Sequence, residues 1–379
     1  MKQLHPTVSD VLGAVNRIAP PVLAESWDQI GLQIGNPNSR TGKLLIALEI
    51  SEAVIREAIE HGMSCIVTHH PLIFGSLKSI VPTNPVGRFI TELVQANIAL
   101  IAAHTNLDSV SNGTNGVLAD ALQLGNTKPL FPNHSANSKN YKFCFFVPVE
   151  NVPAMIEAIN GAGAGVIGNY THCTFRTPGT GTFKPGANST PYSGKVGELE
   201  EATNEVRVET VCPEGNLPKL VEAVKEAHPY EEVAFDVYPM IDANEPKFGL
   251  GLIAKLDQKI TLGELADQCR QVFPVKHLGI VGEPELEVKR LAICSGAGGE
   301  VVRRWRPGFA DAVLTGEMTH HQAAELRDRG AGAILLGHFA SEVIVAPRLA
   351  SLLGKELEAK GFSAEIIVAS QEKDPIRLI

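Results

Sequence analysis

The sequence predicts an α/β fold: two similar α/β halves forming one body, split by a ferredoxin-like α+β insert. Three observations carry this. Short apolar runs alternate with helical patterns over residues 1–130 and again over 246–379, and such alternation builds βαβ units with a largely parallel sheet. Residues 131–245 follow a strand–helix–strand–strand–helix–strand pattern of their own, which is the split ferredoxin-like unit. That middle segment holds 15 acidic and 8 basic residues, whereas the flanks share 27 and 25, so most of the net charge of −9 lies in the insert.

Each element has a local reason. "MKQLHPTVSDVLGAVNRIAPP" reads as a short amphipathic helix stopped by Pro20 and Pro21. "KLLIALEI" is a strand, and "SEAVIREAIEHG" a helix capped by Ser51 and ended by Gly62. "MSCIVTHHP" is the next strand, "VGRFITELVQAN" a helix and "IALIAAHTNLD" a third strand. The insert opens on a polar linker, "FPNHSANSKN", followed by strand "YKFCFFVPV" and helix "PAMIEAINGAG". Two strands around the Gly/Thr/Pro/Ser-rich stretch 177–197 come next, then helix "LPKLVEAVKEAH" and strand "EVAFDVYPM". The last segment gives strand "FGLGLIAKL", helix "TLGELADQCRQVF" and three strand–turn–helix units, from Val288, Ala310 and Ala331.

Hydrophobic residues at 44% and charged residues at 20% are ordinary for a soluble globular protein. The acidic balance disfavours nucleic acid and anionic membrane as partners. No apolar run approaches the roughly 20 residues of a membrane span. The six cysteines are scattered without a CxxC pair and no secretory leader is visible, which reads as a reducing, cytoplasmic setting.

Histidines carry the chemistry. His69, His70, His104, His320 and His338 lie at or just after expected strand ends, where α/β proteins gather functional residues. Imidazole with carboxylate suits a divalent transition metal better than calcium or magnesium. Neighbours on extended backbone point to opposite sides, so His69 and His70 can flank a pair of ions rather than grip one. In "GHFASE", His338 and Glu342 would share a helix face, and a carboxylate there can bridge two ions. "AHTNLD" adds His104 and Asp108. The expected ligands are His69, His70, Asp108, His338 and Glu342, with His104 a ligand or a support to one.

Other features have plainer readings. Glu317, His320 and His321 in "TGEMTHHQ" suit a capped helix start as well as a site wall. "CSGAGG" favours tight packing over phosphate binding. "RRWRPG" reads as a solvated helix end. In "HPYEEVAFDVYP", Pro229 ends a helix, so a structural role comes first.

"WDQIGLQIG", "THHPLIF", "AHTNLD", "LTGEMTHH" and "GHFASE" occur in this order across both outer segments. As a set the chain resembles the GTP cyclohydrolase 1 type 2 homologues, toroidal hexamers with a dinuclear metal centre. The resemblance implies a pair of divalent ions per chain (zinc, iron or manganese) at the five residues above, with Glu342 bridging. It also implies a trimer-forming CutA/PII-like insert, whose signature "HPYEEVAFDVYP" resembles, and a homohexamer acting on a small molecule such as a nucleotide. Gln29 departs from the family, which usually has Asn there. The expected activity is purine ring opening by metal-activated water, with His104 and Glu317 as proton shuttles. A non-enzymatic, metal-binding regulatory hexamer using its insert to recognise a partner or small effector is the alternative.

Overall fold

The computed structural model describes residues 4–133, 140–240, 247–306 and 308–377. The chain separates into two compact units, 1–134 with 246–379, and 135–245. Most of the linker expected over 131–140 and Pro307 of "RRWRPG" lie outside the described residues.

The first segment runs α1 (Val8–Ile18), β1 (Gly31–Ile34), β2 (Lys43–Ala47), α2 (Glu52–Glu60), β3 (Cys65–Thr68), α3 (Pro85–Gln95), β4 (Ala99–Ala102), α4 (Thr105–Asp108), α5 (Thr114–Ala121) and β5 (Lys128–Pro132). Caps set the helix starts. The Thr7 side chain accepts from the Asp10 amide while Asp10 accepts in return, and Ser51 accepts from the Val54 amide. Leu44, Leu45 and Ile46 are fully buried, as are Cys65, Ile66 and Val67. Unbroken apolar runs like these mark strands covered on both faces.

The insert runs β6 (Asn140–Pro148), α6 (Val152–Gly161), β7 (Thr174–Phe183), β8 (Glu200–Pro213), α7 (Leu217–Ala227) and β9 (Phe235–Pro239). Its sheet order is β7-β8-β6-β9, with every neighbouring pair antiparallel. Alternate residues Phe143, Phe145 and Val147 of β6 face Met155 and Ile159 of α6 and Leu220 and Val224 of α7 in one core.

The last segment runs β10 (Gly249–Thr261), α8 (Leu262–Val272), β11 (Gly279–Val281), β12 (Glu287–Ala297), α9 (Gly299–Arg303), β13 (Ala312–Glu317), α10 (His320–Asp328), β14 (Gly332–Leu335), α11 (His338–Glu342), α12 (Val345–Glu358) and β15 (Glu365–Val368). Strand β12 feeds two cores by its pleat: Leu291 and Ile293 pack with Leu262, Leu265, Leu314 and Ile334, while Ala292 and Cys294 pack with Val301, Val302 and Trp305.

The larger unit has two mixed sheets, ordered β1-β4-β3-β2-β15 and β11-β14-β13-β12-β10-β5. Parallel pairing joins β15, β2, β3 and β4 in one and β12, β13 and β14 in the other. The sheets do not follow the division of the chain at 130 and 246. Strand β15, near the C-terminus, completes the first sheet, and β5, before the insert, completes the second. Edge strands are recruited wherever the tertiary fold offers unpaired backbone, and local sequence does not dictate this exchange. Among the described residues no helix is long and apolar enough to cross a membrane.

Candidate metal centre

The carboxyl ends of β3, β4 and β14 meet in the larger unit. Strand β3 stops at Thr68, earlier than the apolar pattern implies, because Thr68 Oγ1 donates to the His70 carbonyl at 2.8 Å and bends the chain. His69 and His70 therefore leave extended backbone, yet their rings, 5.1 Å apart, still divide between different partners. The expected third strand likewise stops early, at Ala102. His104 then caps α4, which puts Asp108 one turn on from it.

Gly337, at φ 90°, turns the chain out of β14 into α11. A side chain there would be strained in that left-handed region. His338 and Glu342 follow four apart on one face, with His338 Nε2 and Glu342 Oε2 separated by 3.1 Å.

Glu342 is the hub. Its Oε2 lies 2.9 Å from His70 Nε2 and 3.1 Å from His338 Nε2. Its Oε1 lies 3.9 Å from His69 Nε2, which is itself 3.6 Å from Asp108 Oδ1. One buried carboxylate thus presents one oxygen to two imidazoles and the other to His69, whose Nε2 also faces Asp108. Imidazole nitrogens of His69, His70 and His104 also converge within 4.8 Å, as do ligand atoms of His70, His338 and Glu342.

The Nδ1 edges are held from outside. His69 Nδ1 donates to the Ala103 carbonyl at 2.9 Å. His104 Nδ1 lies 2.9 Å from Asp28 Oδ1, and His338 Nδ1 lies 2.8 Å from Glu317 Oε1. His70 Nδ1 is 3.4 Å from Glu49 Oε2. Bonds of this kind fix ring orientation and leave Nε2 for a ligand role. Glu317 sits on the outer edge of His338, while His320 and His321 are exposed on α10 and pack against each other, with Thr319 and Gln322 forming the capping box.

Electrostatics point to a cation. With Nδ1–H donating to Ala103, His69 Nε2 is buried, has no hydrogen-bond partner among the described residues, and faces two carboxylates. A lone pair aimed at anions is stable only if a proton or a metal ion lies between them. Without metal a proton fills that role. Burial opposes the charged form of His70, but hydrogen bonds and charge from Glu342 and Glu49 outweigh it and hold the ring at about 10. The hydrogen bond to Glu342 leads the causes that put His338 at about 9. Burial opposes ionisation of Glu342 too, yet the three histidines hold its carboxyl well below the usual range. Burial and the nearby Glu342 push Asp108 upward despite His69. Asp28 is held at about 2: burial opposes this, but bonds from His104 and Thr105 prevail. Burial drives the Cys294 thiol beside the centre up to about 12, which removes it as a thiolate.

These shifts set a direction for pH. The raised His70 and His338 values stabilise the metal-free fold fully below the unfolded histidine value of about 6.5, and this is lost as pH rises through 9–10. Metal must displace the same protons. Loading near pH 7 is expected to release at least two protons per chain, from His70 and His338 with a further contribution from the His69 proton, and affinity should rise up to pH 9–10. Calorimetry in buffers of different ionisation enthalpy checks this, and loading without proton release would contradict it.

A cavity of about 300 Å³ bordered by Trp27, His104, Asp108 and Glu342 reaches the centre, and a second of about 340 Å³, bordered by Glu49, His70 and Glu317, shares His338 with it. The indole of Trp27 stacks on Phe74 at 6.4 Å and meets His104 edge-on at 6.0 Å, giving the entrance an aromatic rim. Asp28 and Glu49 were absent from the candidates above. The sequence signal for Asp28 was its place beside Trp27 in "WDQIGLQIG"; Glu49, just past β2, had none.

The fold and the centre define a class: α/β proteins in which two mixed sheets share a buried histidine–carboxylate cluster. The chain belongs to the Duf34/NIF3 (NGG1p interacting factor 3) family, which it matches over residues 6–375. A protein of Halalkalibacterium halodurans named GTP cyclohydrolase 1 type 2 homolog is 37% identical over 97% of this chain and 98% of its own length. A Bacillus subtilis protein of the same name is 35% identical over 97% and 98%. The crystal structure of a Bacillus cereus protein related to NIF3, 36% identical, superposes with a TM-score of 0.81 over 99% of both chains.

Proposed function

We propose that the chain is a metal-dependent hydrolase that holds a pair of divalent ions and opens a purine-type ring, as its relatives' name, GTP cyclohydrolase 1 type 2 homolog, suggests. The observation that carries this is the division of Glu342, with Oε1 toward His69, which also faces Asp108, and Oε2 toward His70 and His338. His69, Asp108 and Glu342 would hold one ion, with His104 beside them, and His70, His338 and Glu342 the other. Divalent ions at such a site supply Lewis-acid activation of water and of the attacked group. His104 Nε2 takes a proton, and Asp28, ionised at neutral pH, stabilises the resulting imidazolium. Glu317 orients His338 and, on the wall of the second cavity, can itself take up or give a proton. The Trp27–Phe74 rim offers a stacking face for a flat ring.

The same reading takes the insert as CutA/PII-like, the halves 1–130 and 246–379 as related, the assembly as a homohexamer and the setting as cytoplasmic. The metal-loaded protein is expected to change the purine absorbance of GTP or a related nucleotide, and Glu317→Gln to lower kcat about 10-fold or more with little change in KM. Metal-loaded protein that turns over no nucleotide or other hydrolysable substrate would overturn the hydrolase while leaving the centre intact. A non-enzymatic reading, in which the insert recognises a partner or effector, is favoured by the insert's own core and cavity.

A further inference from the structure

The insert contains a cavity of its own, of about 430 Å³. That volume lies in the roughly 300–1,000 Å³ range of small-molecule sites. The rings of Phe146, Phe183, Tyr192 and Tyr230 form its walls, together with the carboxylates of Glu205, Glu231 and Glu232. Among the described residues the lining sets these three acids against a single basic residue, Lys184.

The wall is built by hydrogen bonds rather than by chance exposure. His228, ahead of the helix-ending Pro229, is buried, with 8% exposure. Its Nε2–H donates to the Phe146 carbonyl at 2.9 Å and its Nδ1 accepts the Tyr230 amide at 3.1 Å, so the imidazole fixes the backbone on which Tyr230 stands. Tyr230 donates its hydroxyl to Glu205 Oε1 at 2.9 Å. Glu231 Oε1 accepts the Thr190 amide at 2.8 Å, tethering the loop that brings the Tyr192 ring to 5.7 Å from Tyr230. The phenol and the backbone amide carry no positive charge to offset the carboxylates of Glu205 and Glu231, which lie beside two electron-rich rings. This gives "HPYEE" a purpose beyond ending a helix: it arranges one side of a pocket.

We propose that this cavity binds a small organic cation, an ammonium or guanidinium carried on a flat or apolar body. Carboxylates and tyrosine faces both attract such a head group, and the half-buried rings of Phe146 and Phe183 take the body. An anion would meet a net negative lining, three carboxylates against Lys184. The inference rests on the insert being a recognition unit and is independent of the metal chemistry.

The test is ligand-observed NMR on the full chain with three near-isosteres: 2-phenylethylammonium, 2-phenylethanol and 3-phenylpropanoate. The ammonium is expected to bind at about 0.1–1 mM, the alcohol roughly 10-fold more weakly and the carboxylate not at all. The double variant Glu231→Gln, Glu232→Gln should weaken the ammonium about 10-fold, and Tyr192→Leu should weaken it as well, with bound metal unchanged in both. Equal binding of ammonium and alcohol, unchanged affinity in the double variant, or no binding of any probe (as when a second copy of the chain fills the cavity) would overturn the proposal. Each of these leaves metal content, and a protein partner captured by the insert, to be read separately.

Discussion

Gly296→Ala is expected to empty the metal centre although it removes no ligand. Gly296 lies in β12 at φ 60°, where a side chain costs about 1–2 kcal/mol. A Cβ built there would fall inside the van der Waals surface of Glu342 Oε1, with the Glu342 carboxyl carbon at 3.1 Å and His338 Cε1 at 3.3 Å. Glu342 cannot retreat freely. Its Oε2 sits against His70 and His338, and its helix is held where Ser341 Oγ accepts the Gly296 amide at 3.0 Å. Metal affinity should fall by about two orders of magnitude or more, measured by competition with a chromophoric chelator. Circular dichroism should show the fold retained, since the clash is local. Full metal loading in Gly296→Ala would mean that Glu342 does not sit at the hub.

The second large effect is on stability. Glu57→Ala, remote from the metal residues, should cost about 3 kcal/mol and lower Tm by roughly 5–10 °C. Glu57, on α2, is 5% exposed. It accepts the Ser370 amide at 2.9 Å, the Ser370 hydroxyl at 2.8 Å and the Gln371 amide at 3.2 Å, clamping the segment after β15. Glu372 returns the clasp by accepting the Leu48 and Glu49 amides at 2.8 and 3.1 Å. Alanine would leave these donors without an acceptor and loosen the strand that closes the first sheet. Glu57→Gln keeps an acceptor and should cost less. Since Asp374 and Ile376 border the cavity at His70, looser packing here should also raise solvent access to the centre. An unchanged melting curve for Glu57→Ala would show that the C-terminal strand contributes little.

What the sequence revealed depended on how local each signal was. Ser51 as a cap, Gly62 as a stop and the buried runs of β2 and β3 follow from neighbours within a few residues, and all appear in the structure. The edge strands β1, β5, β11 and β15 were not legible, because pairing partners far along the chain create them. "KPLFP", with two prolines, reads as a loop until β10 pairs with it. The centre divides in the same way. His69, His70, Asp108, His338 and Glu342 were legible as a set because each lies just past a strand end or on the short helix that follows one. Their arrangement around two oxygens of one carboxylate was not, nor was the pairing of His104 with Asp28, 76 residues away. Loops and helix starts carry such contacts, and no periodic pattern encodes them. The ends of β3 and β4 fell short of the apolar pattern because Thr68 and the Asp28–Thr105 bonds redirect the chain there.

The central claim is that Glu342 divides the histidines between two ions. Metal content per chain, measured on the wild type beside His69→Ala and His70→Ala, tests it most directly. The account predicts about two ions in the wild type and about one in each variant, His69→Ala losing the ion shared with Asp108 and His70→Ala the ion shared with His338. A wild type that binds no metal, with both variants folded normally, would contradict it and leave the cluster a network of charged hydrogen bonds.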